Sequence, residues 1–410
     1  MSKKITTNRS KPHQPPPPGG YETVSLAYEV IKVAACQMVS QPIDPDNPGL
    51  GIAKNLDIML GLIDRAAAQG CQLMVFPEFT LNRGGVDLSK ARKLATAGSV
   101  NPMGQLFCLK LSRQQWLKAA IMVPGPETRA IGEKAQQYNC YVSFSSYTQQ
   151  PDWPGHFFNA SIIVGPSGDT LYNHWKNYWG YPGIGTEYAT RVFDVLDEYV
   201  ERYGWDAVWP VARTPIGNLA GYVCSEGHQS ETSRILAFYG TEIFCRNFAG
   251  GGKGSWGGRF RIGFRGDCAQ NLCWGVYANN GYAEPEPPEQ SWAGGSMIVD
   301  PYGNIAAEVS GVGNEIITAT IPIAEFRSEQ NRFDEYHNPH MAAGVLRGGV
   351  RTEITVPVYQ QFPGQFPPGL LTKYQKEHNG ELPSNCRATR EWYFKHARWH
   401  LPYHDPAEYA

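Results

Sequence analysis

Three polar residues stand at the ends of otherwise apolar runs. Glu78 closes CQLMVFPE (71–78), Lys176 closes DTLYNHWK (169–176) and Cys224 closes GNLAGYVC (217–224). Such runs read as strands of a buried sheet, and strand ends are where α/β proteins usually place their catalytic groups. The three residue types complement one another. A thiol nucleophile needs a nearby carboxylate to take its proton, and a cation to stabilise the oxyanion that its attack creates. Taken singly, each has a plainer reading. A Glu after a strand is usually a solvated end or a helix cap, a lone strand-end Lys carries still less information, and a Cys after Tyr-Val is more often a buried hydrophobe. The combination is what points to nucleophilic catalysis.

The elements that must hold these residues alternate between strand and helix. IKVAACQM (31–38) and CQLMVFPE flank a segment, 54–70, in which Leu56, Leu60, Ile63 and Ala67 share one helical face and Gly70 is a stop. This is a βαβ unit, and its strands are apolar enough to be covered on both faces. The spacing then predicts a helix near Glu127–Tyr138 and a strand at 140–147. Two further strands within 157–176 are joined by a turn at Pro166-Ser167-Gly168-Asp169. A strand at 217–226 runs into a helix ending near Gly240, and the last strands lie at 241–247, 272–280, 296–309 and 315–322. Residues 1–22, basic and then proline-rich through Pro15–Pro18, read as a disordered leader rather than a signal peptide. Beyond about residue 325 the periodicity gives way to a Pro-, His- and aromatic-rich extension, 325–410.

VFPEF (75–79), the Lys of YNHWKNYW (172–179) and YVCSEGHQSETSRILAFYGTEI (222–243) resemble the nitrilase superfamily of carbon–nitrogen hydrolases, in character nearest its aliphatic amidase and nitrilase branches. RGDCAQNLCWGVYANN (265–280) and GGSMIVDPYGNIAAE (294–308) resemble that family's later segments. The resemblance runs through residues 31–322 in the correct order. It implies an α/β fold of the αββα four-layer sandwich type and a Glu-Lys-Cys triad. Glu78 would be the general base, Lys176 the oxyanion-stabilising cation and Cys224 the nucleophile, with the Ser225 N–H sharing the oxyanion. A second glutamate after the lysine is common in the family, and Glu187 in GIGTEY is the candidate. A strand-to-helix turn at Cys224 would set the thiol near a helix N-terminus, which favours thiolate. Glu226 and His228 would line the pocket, or serve packing and helix capping, and Tyr178 and Trp179 would form an aromatic wall or a core cluster.

The residues after Cys224 help to choose a reaction. Nitrilases typically show Cys-Trp-Glu and aliphatic amidases Cys-Tyr-Asp, and Cys224-Ser225-Glu226 fits neither cleanly. An arginine that would hold a carbamoyl amino acid is absent at Gly227 and His228. The preferred reading is hydrolysis of a small-molecule amide to acid and ammonia through a cysteine thioester, with nitrile hydrolysis as the alternative. A non-catalytic oligomeric scaffold is a rival of another class, and the intact triad argues against it. No metal or organic cofactor is implied. AGGGKGSWGG (249–258) lacks the spacing of a phosphate loop and reads as a flexible loop. The histidines at 337, 340, 396, 400 and 404 lack zinc spacing.

With 36 Lys and Arg against 38 Asp and Glu, the net charge of −2 gives no bulk electrostatic case for nucleic acid or an anionic membrane. No apolar run is long enough for a membrane span. The nine cysteines are scattered and several lie in apolar runs, which suits buried thiols in a reducing, cytoplasmic setting. The aromatic extension, and the family's habit of pairing across the nucleophile's helix, lead to the expectation of a homodimer or higher homo-oligomer, with the extension wrapping a neighbour.

Overall fold

The alternation in residues 31–37 becomes strand β1 (Ile31–Gln37), which points Ile31, Val33 and Ala35 to one side and Ala34 and Cys36 to the other. The computed structural model describes residues 21–83, 112–177, 189–250, 255–281, 294–331 and 351–400. Next come α1 (Gly49–Ala67), β2 (Leu73–Val75), α2 (Arg113–Ala119), β3 (Ile121–Met122), α3 (Pro126–Tyr138), β4 (Tyr141–Gln149), β5 (Phe158–Val164) and β6 (Thr170–Trp175). The sequence starts and stops these helices legibly. Ser112 and Gln115 form a capping box at α2, Pro126 opens α3, and Asn139 ends it in the left-handed region at φ 48°.

The second half adds α4 (Leu196–Tyr203), β7 (Ala212–Thr214), β8 (Gly217–Val223), α5 (Ser230–Phe238), β9 (Ile243–Phe248), α6 (Ser255–Asn271), β10 (Trp274–Asn279), β11 (Met297–Val299), β12 (Ile305–Glu308) and β13 (Glu315–Ile321). Helices α7 (Ile323–Asn331), α8 (Thr352–Gln361), α9 (Leu370–Glu377) and α10 (Cys386–Lys395) complete the described chain.

The strands form two sheets. One has the order β13-β1-β2-β4-β5-β6, with β3 also on β4, and the other runs β12-β11-β10-β9-β8-β7. Period-two alternation sorts their side chains into three apolar layers. Ile31, Val33, Leu73, Leu219, Ile243, Cys245 and Val276 fill the space between the sheets. Ala34, Met74 and Val142 pack under α1 and α3 through Met59, Ile63, Ile131 and Ala135. Tyr222, Phe244 and Tyr277 pack under α5 and α6 through Leu236, Phe264 and Cys268. This is the αββα arrangement expected from the resemblance.

The sheets meet closely at Gly221 of β8, where a Cβ would lie 2.1 Å from Ser161 Oγ on β5. Helix α6 departs from the sequence reading. Ser255–Gly258, expected in a loop, begin a helix that also carries Gly263 and Gly266. Burial of Phe260, Phe264 and Cys268, four residues apart, outweighs the poor helix propensity of those glycines.

Both ends of the described chain are seated. Tyr21, placed in the leader by the sequence, donates its hydroxyl to the buried Glu242 (2.7 Å), and Arg327 of α7 forks onto both oxygens of that carboxylate at 2.7 Å. At the other end, Leu370, Leu371, Trp392 and Tyr393 join the core cluster under α1 and α3. Gly369 N–H donates to Phe193 O, and Arg113 Nε to Pro383 O. Helices α9 and α10 therefore fold back over their own subunit. Helix α8 differs, because Ile354, Val358, Tyr359 and Phe362 are exposed on it and just after it.

Candidate active site

Strands β1, β2, β4, β8, β9 and β10 run parallel within their sheets, and the residues singled out above sit just past strand ends on one side of the sandwich. Glu78 is buried three residues beyond β2, and its neighbour Phe79 takes a left-handed φ of 56°. Its N–H donates to Phe248 O (3.3 Å), and Asn280 Nδ2 donates to its carbonyl. The second sheet thus fixes the backbone that carries a side chain of the first. At the carboxylate, Asn159 Nδ2 (2.7 Å) and Lys176 Nζ (3.1 Å) both donate to Oε1. Asn159 is itself aimed by Ser145 Oγ, which donates to its Oδ1 (3.0 Å).

Lys176 is 2% exposed and directly follows β6, with its N–H on Asn159 O. A lysine this buried is held by its carboxylate partner, and loss of either would leave an uncompensated charge.

Cys224 directly follows β8 and opens a 3-10 turn, Cys224–His228, that precedes α5. Its φ of 44° is left-handed, a strained setting for a residue with a Cβ, and such outliers gather at functional sites. Among the eight described cysteines it is the one not buried. Its thiol points at Ala249 O (3.7 Å), next to the Phe248 carbonyl that accepts from Glu78. Cys224 and Glu78 therefore face the same two-residue stretch at the end of β9, Phe248–Ala249. Arg246 Nη2 donates to the Cys224 carbonyl (2.8 Å).

The remaining expected residues fall out differently. Glu226 is fully buried. It accepts from Val223 N–H (2.8 Å) and Asn177 N–H (2.7 Å) and pairs with His174 Nε2 at 3.0 Å. This carboxylate ties the residue before Cys224 to the residue after Lys176. The 3-10 turn folds the side chain back onto the end of β6 and onto Val223. Ser225 is buried beside the nucleophile, and His228 stacks on Phe260 with centroids 4.4 Å apart. Burial, with the charges of Arg246, Arg259 and Lys176 nearby, pushes the His228 imidazole down to about 4, so it is neutral at pH 7. Glu187, Tyr178 and Trp179 lie outside the described residues.

Sequence reasoning missed Asn159, His174, Arg246 and Asn280. Asn159, His174 and Arg246 lie inside strands β5, β6 and β9, and of the four only Asn280, directly after β10, carries the strand-end signal that singled out Glu78 and Lys176. No group of His, Cys, Asp or Glu able to hold a metal occurs among the described residues, and no helix among them is long and apolar enough to cross a membrane.

Residues 32–329 match the carbon–nitrogen hydrolase family, and the chain belongs to it. Its members act as hydrolases on carbon–nitrogen bonds other than peptide bonds. Among curated relatives, the bifunctional nitrilase/nitrile hydratase NIT4A of Lupinus angustifolius is 24% identical over 363 residues, covering 81% of this chain and 91% of that one. The aliphatic nitrilase of Sinorhizobium fredii is 22% identical over 314 residues, 74% of this chain and 91% of that one. Among solved structures, an amidase from Nesterenkonia sp. AN1 in complex with acrylamide superposes with a TM-score of 0.51 at 18% identity, over 75% of this chain and 96% of that one. That likeness is one of fold.

Proposed function

We propose that the chain is a thiol-dependent amidohydrolase that converts a small-molecule carboxamide to its acid and ammonia. The observation that carries this reading is the buried Lys176–Glu78 pair, 3.1 Å apart, on the same β9 end, Phe248–Ala249, that a partly exposed thiol on a strained elbow faces. Glu78 takes the Cys224 proton, and the sulfur forms a bond to the amide carbon. Lys176 Nζ and the Ser225 N–H stabilise the oxyanion of the tetrahedral adduct. The adduct collapses as Glu78 returns the proton to the leaving nitrogen, so ammonia departs and a thioester remains. Water then attacks with Glu78 as base, the acid is released and the thiol is restored. Glu187, as a second glutamate, would assist in orienting the amide.

Nitrile hydrolysis is the second reading, and the nitrilases among the curated relatives favour it. There the thiol adds to the nitrile carbon, and water and loss of ammonia lead to the same thioester. Ammonia release from matched panels of amides and nitriles tests both. Cysteine-dependent release from amides, with hydroxamate formed when hydroxylamine is added, is the expected result. Release from nitriles alone would replace the first reading with the second. Turnover by a folded Cys224→Ala variant would remove both.

A further inference from the structure

We propose that Arg246 is a positioning residue for the oxyanion site, acting through the peptide between Cys224 and Ser225. The inference rests on the functional reading above, in which the Ser225 N–H is an oxyanion donor. Arg246 Nη2 donates to the Cys224 carbonyl at 2.8 Å, and that carbonyl belongs to the same peptide unit as the Ser225 N–H. The unit is planar, so fixing the C=O on one side aims the N–H to the other, away from the guanidinium. A charged donor on the carbonyl also draws electron density from the peptide and strengthens its N–H as a donor. The left-handed φ of 44° at Cys224 is a strained setting that its surroundings must hold, and the Arg246 contact is one of those holds.

The arginine is built for this contact more than for an ion pair. It is completely buried on the outer face of the second sheet, within a box of four rings. Its Cζ lies 5.5 Å from the centroid of Tyr222, 5.4 Å from Phe248, 5.7 Å from Phe264 and 5.6 Å from Tyr277. Asp267 stands off at 3.8 Å from Nη1, and its oxygens accept from Tyr222 OH and Ser233 Oγ, each at 2.8 Å. Burying a charge costs more than such a distant pair returns, and ring faces offset part of that cost. Space is also kept for the guanidinium. A Cβ on Gly227 would lie 2.4 Å from Arg246 Cζ, and no positive φ demands glycine there.

Three variants test the assignment. Gly227→Ala displaces the guanidinium with both charges retained, and Arg246→Lys keeps the charge while shortening the donor. Arg246→Met combined with Asp267→Asn removes both buried charges together, should either single variant not fold. Two rates are compared with wild type: kcat/KM on the best amide or nitrile of the panel, and the alkaline plateau rate at which Cys224 reacts with a dipyridyl disulfide, a reagent that develops no oxyanion. The expected result is a fall of about 10- to 100-fold in kcat/KM with the disulfide rate within about threefold. A folded variant that keeps kcat/KM within about threefold overturns the inference. An equal fall in both rates also overturns it, because the thiol rather than the oxyanion site was then disturbed. Retained turnover in Cys224→Ala overturns the functional reading itself, whatever Arg246 does.

Discussion

At the scale of single residues, the site concentrates charge where water is excluded, so small changes have large effects. Cys224→Ala is expected to abolish turnover by more than about a thousandfold with the fold intact, checked by ammonia release and circular dichroism. Glu78→Gln keeps the shape and the Asn159 contact but cannot take a proton, and a loss of roughly 100-fold or more is expected. A second effect concerns stability. Burial, with Arg113 and Arg202 nearby, pushes the His156 imidazole down to about 3 from 6.5, while its Nδ1 pairs with Thr190 Oγ1. The unfolded chain then binds more protons than the folded one between those values. Stability is full above about pH 6.5 and is lost as pH falls toward 3, by at most roughly 1.4 kcal/mol per pH unit for this group. Thermal melts from pH 7 to pH 4 should show the decline, with a shallower slope in His156→Gln. An equal slope would assign the loss to other groups.

At the scale of elements, what could be read from the chain and what could not have a common cause. The strand-end positions of Glu78, Lys176 and Cys224 were legible because a long apolar run that ends in a reactive group is a local pattern. The βαβ start was legible from the periodicity of residues 31–78, although α1 begins at Gly49, ahead of the Lys54 that the pattern suggested. Helix α6 was not, because its glycines argue locally against a helix that only the second sheet stabilises. Asn159 and Arg246 escaped for a related reason. Their roles exist only across strands, to Glu78 in one case and to the Cys224 carbonyl in the other. The inter-sheet contact makes a prediction of its own. Gly221→Val forces a side chain against Ser161, whose Oγ is already committed to Asn247 Oδ1 at 2.6 Å. Overpacking there should cost about 1–3 kcal/mol in chemical denaturation. A neutral substitution would mean that the sheets part without penalty.

At the scale of the whole molecule, α9 and α10 cover the first layer, and α8 leaves Ile354, Val358 and Phe362 exposed while Tyr359 OH donates to Glu231 of the nucleophile's helix (2.7 Å). We propose that this face carries the homodimer contact. Ile354→Lys with Phe362→Lys should then lower the mass in light scattering toward a single chain, and an unchanged mass would remove α8 from the interface. The topology has a further consequence, for synthesis. Strand β1 is completed on one side by β13, with Ile31 opposite Ile321, roughly 290 residues later. At roughly 5–20 residues per second, the first strand leaves the ribosome about 15–60 s before its partner does. During that interval one row of its peptide groups is an open edge, beside valine and isoleucine side chains that nothing yet covers. A nascent chain stalled short of Glu315 should be digested readily by protease, and one extended well past Ile321 should resist. The early part of this protein is thus expected to be a substrate for holding chaperones until the last strand of its first sheet emerges.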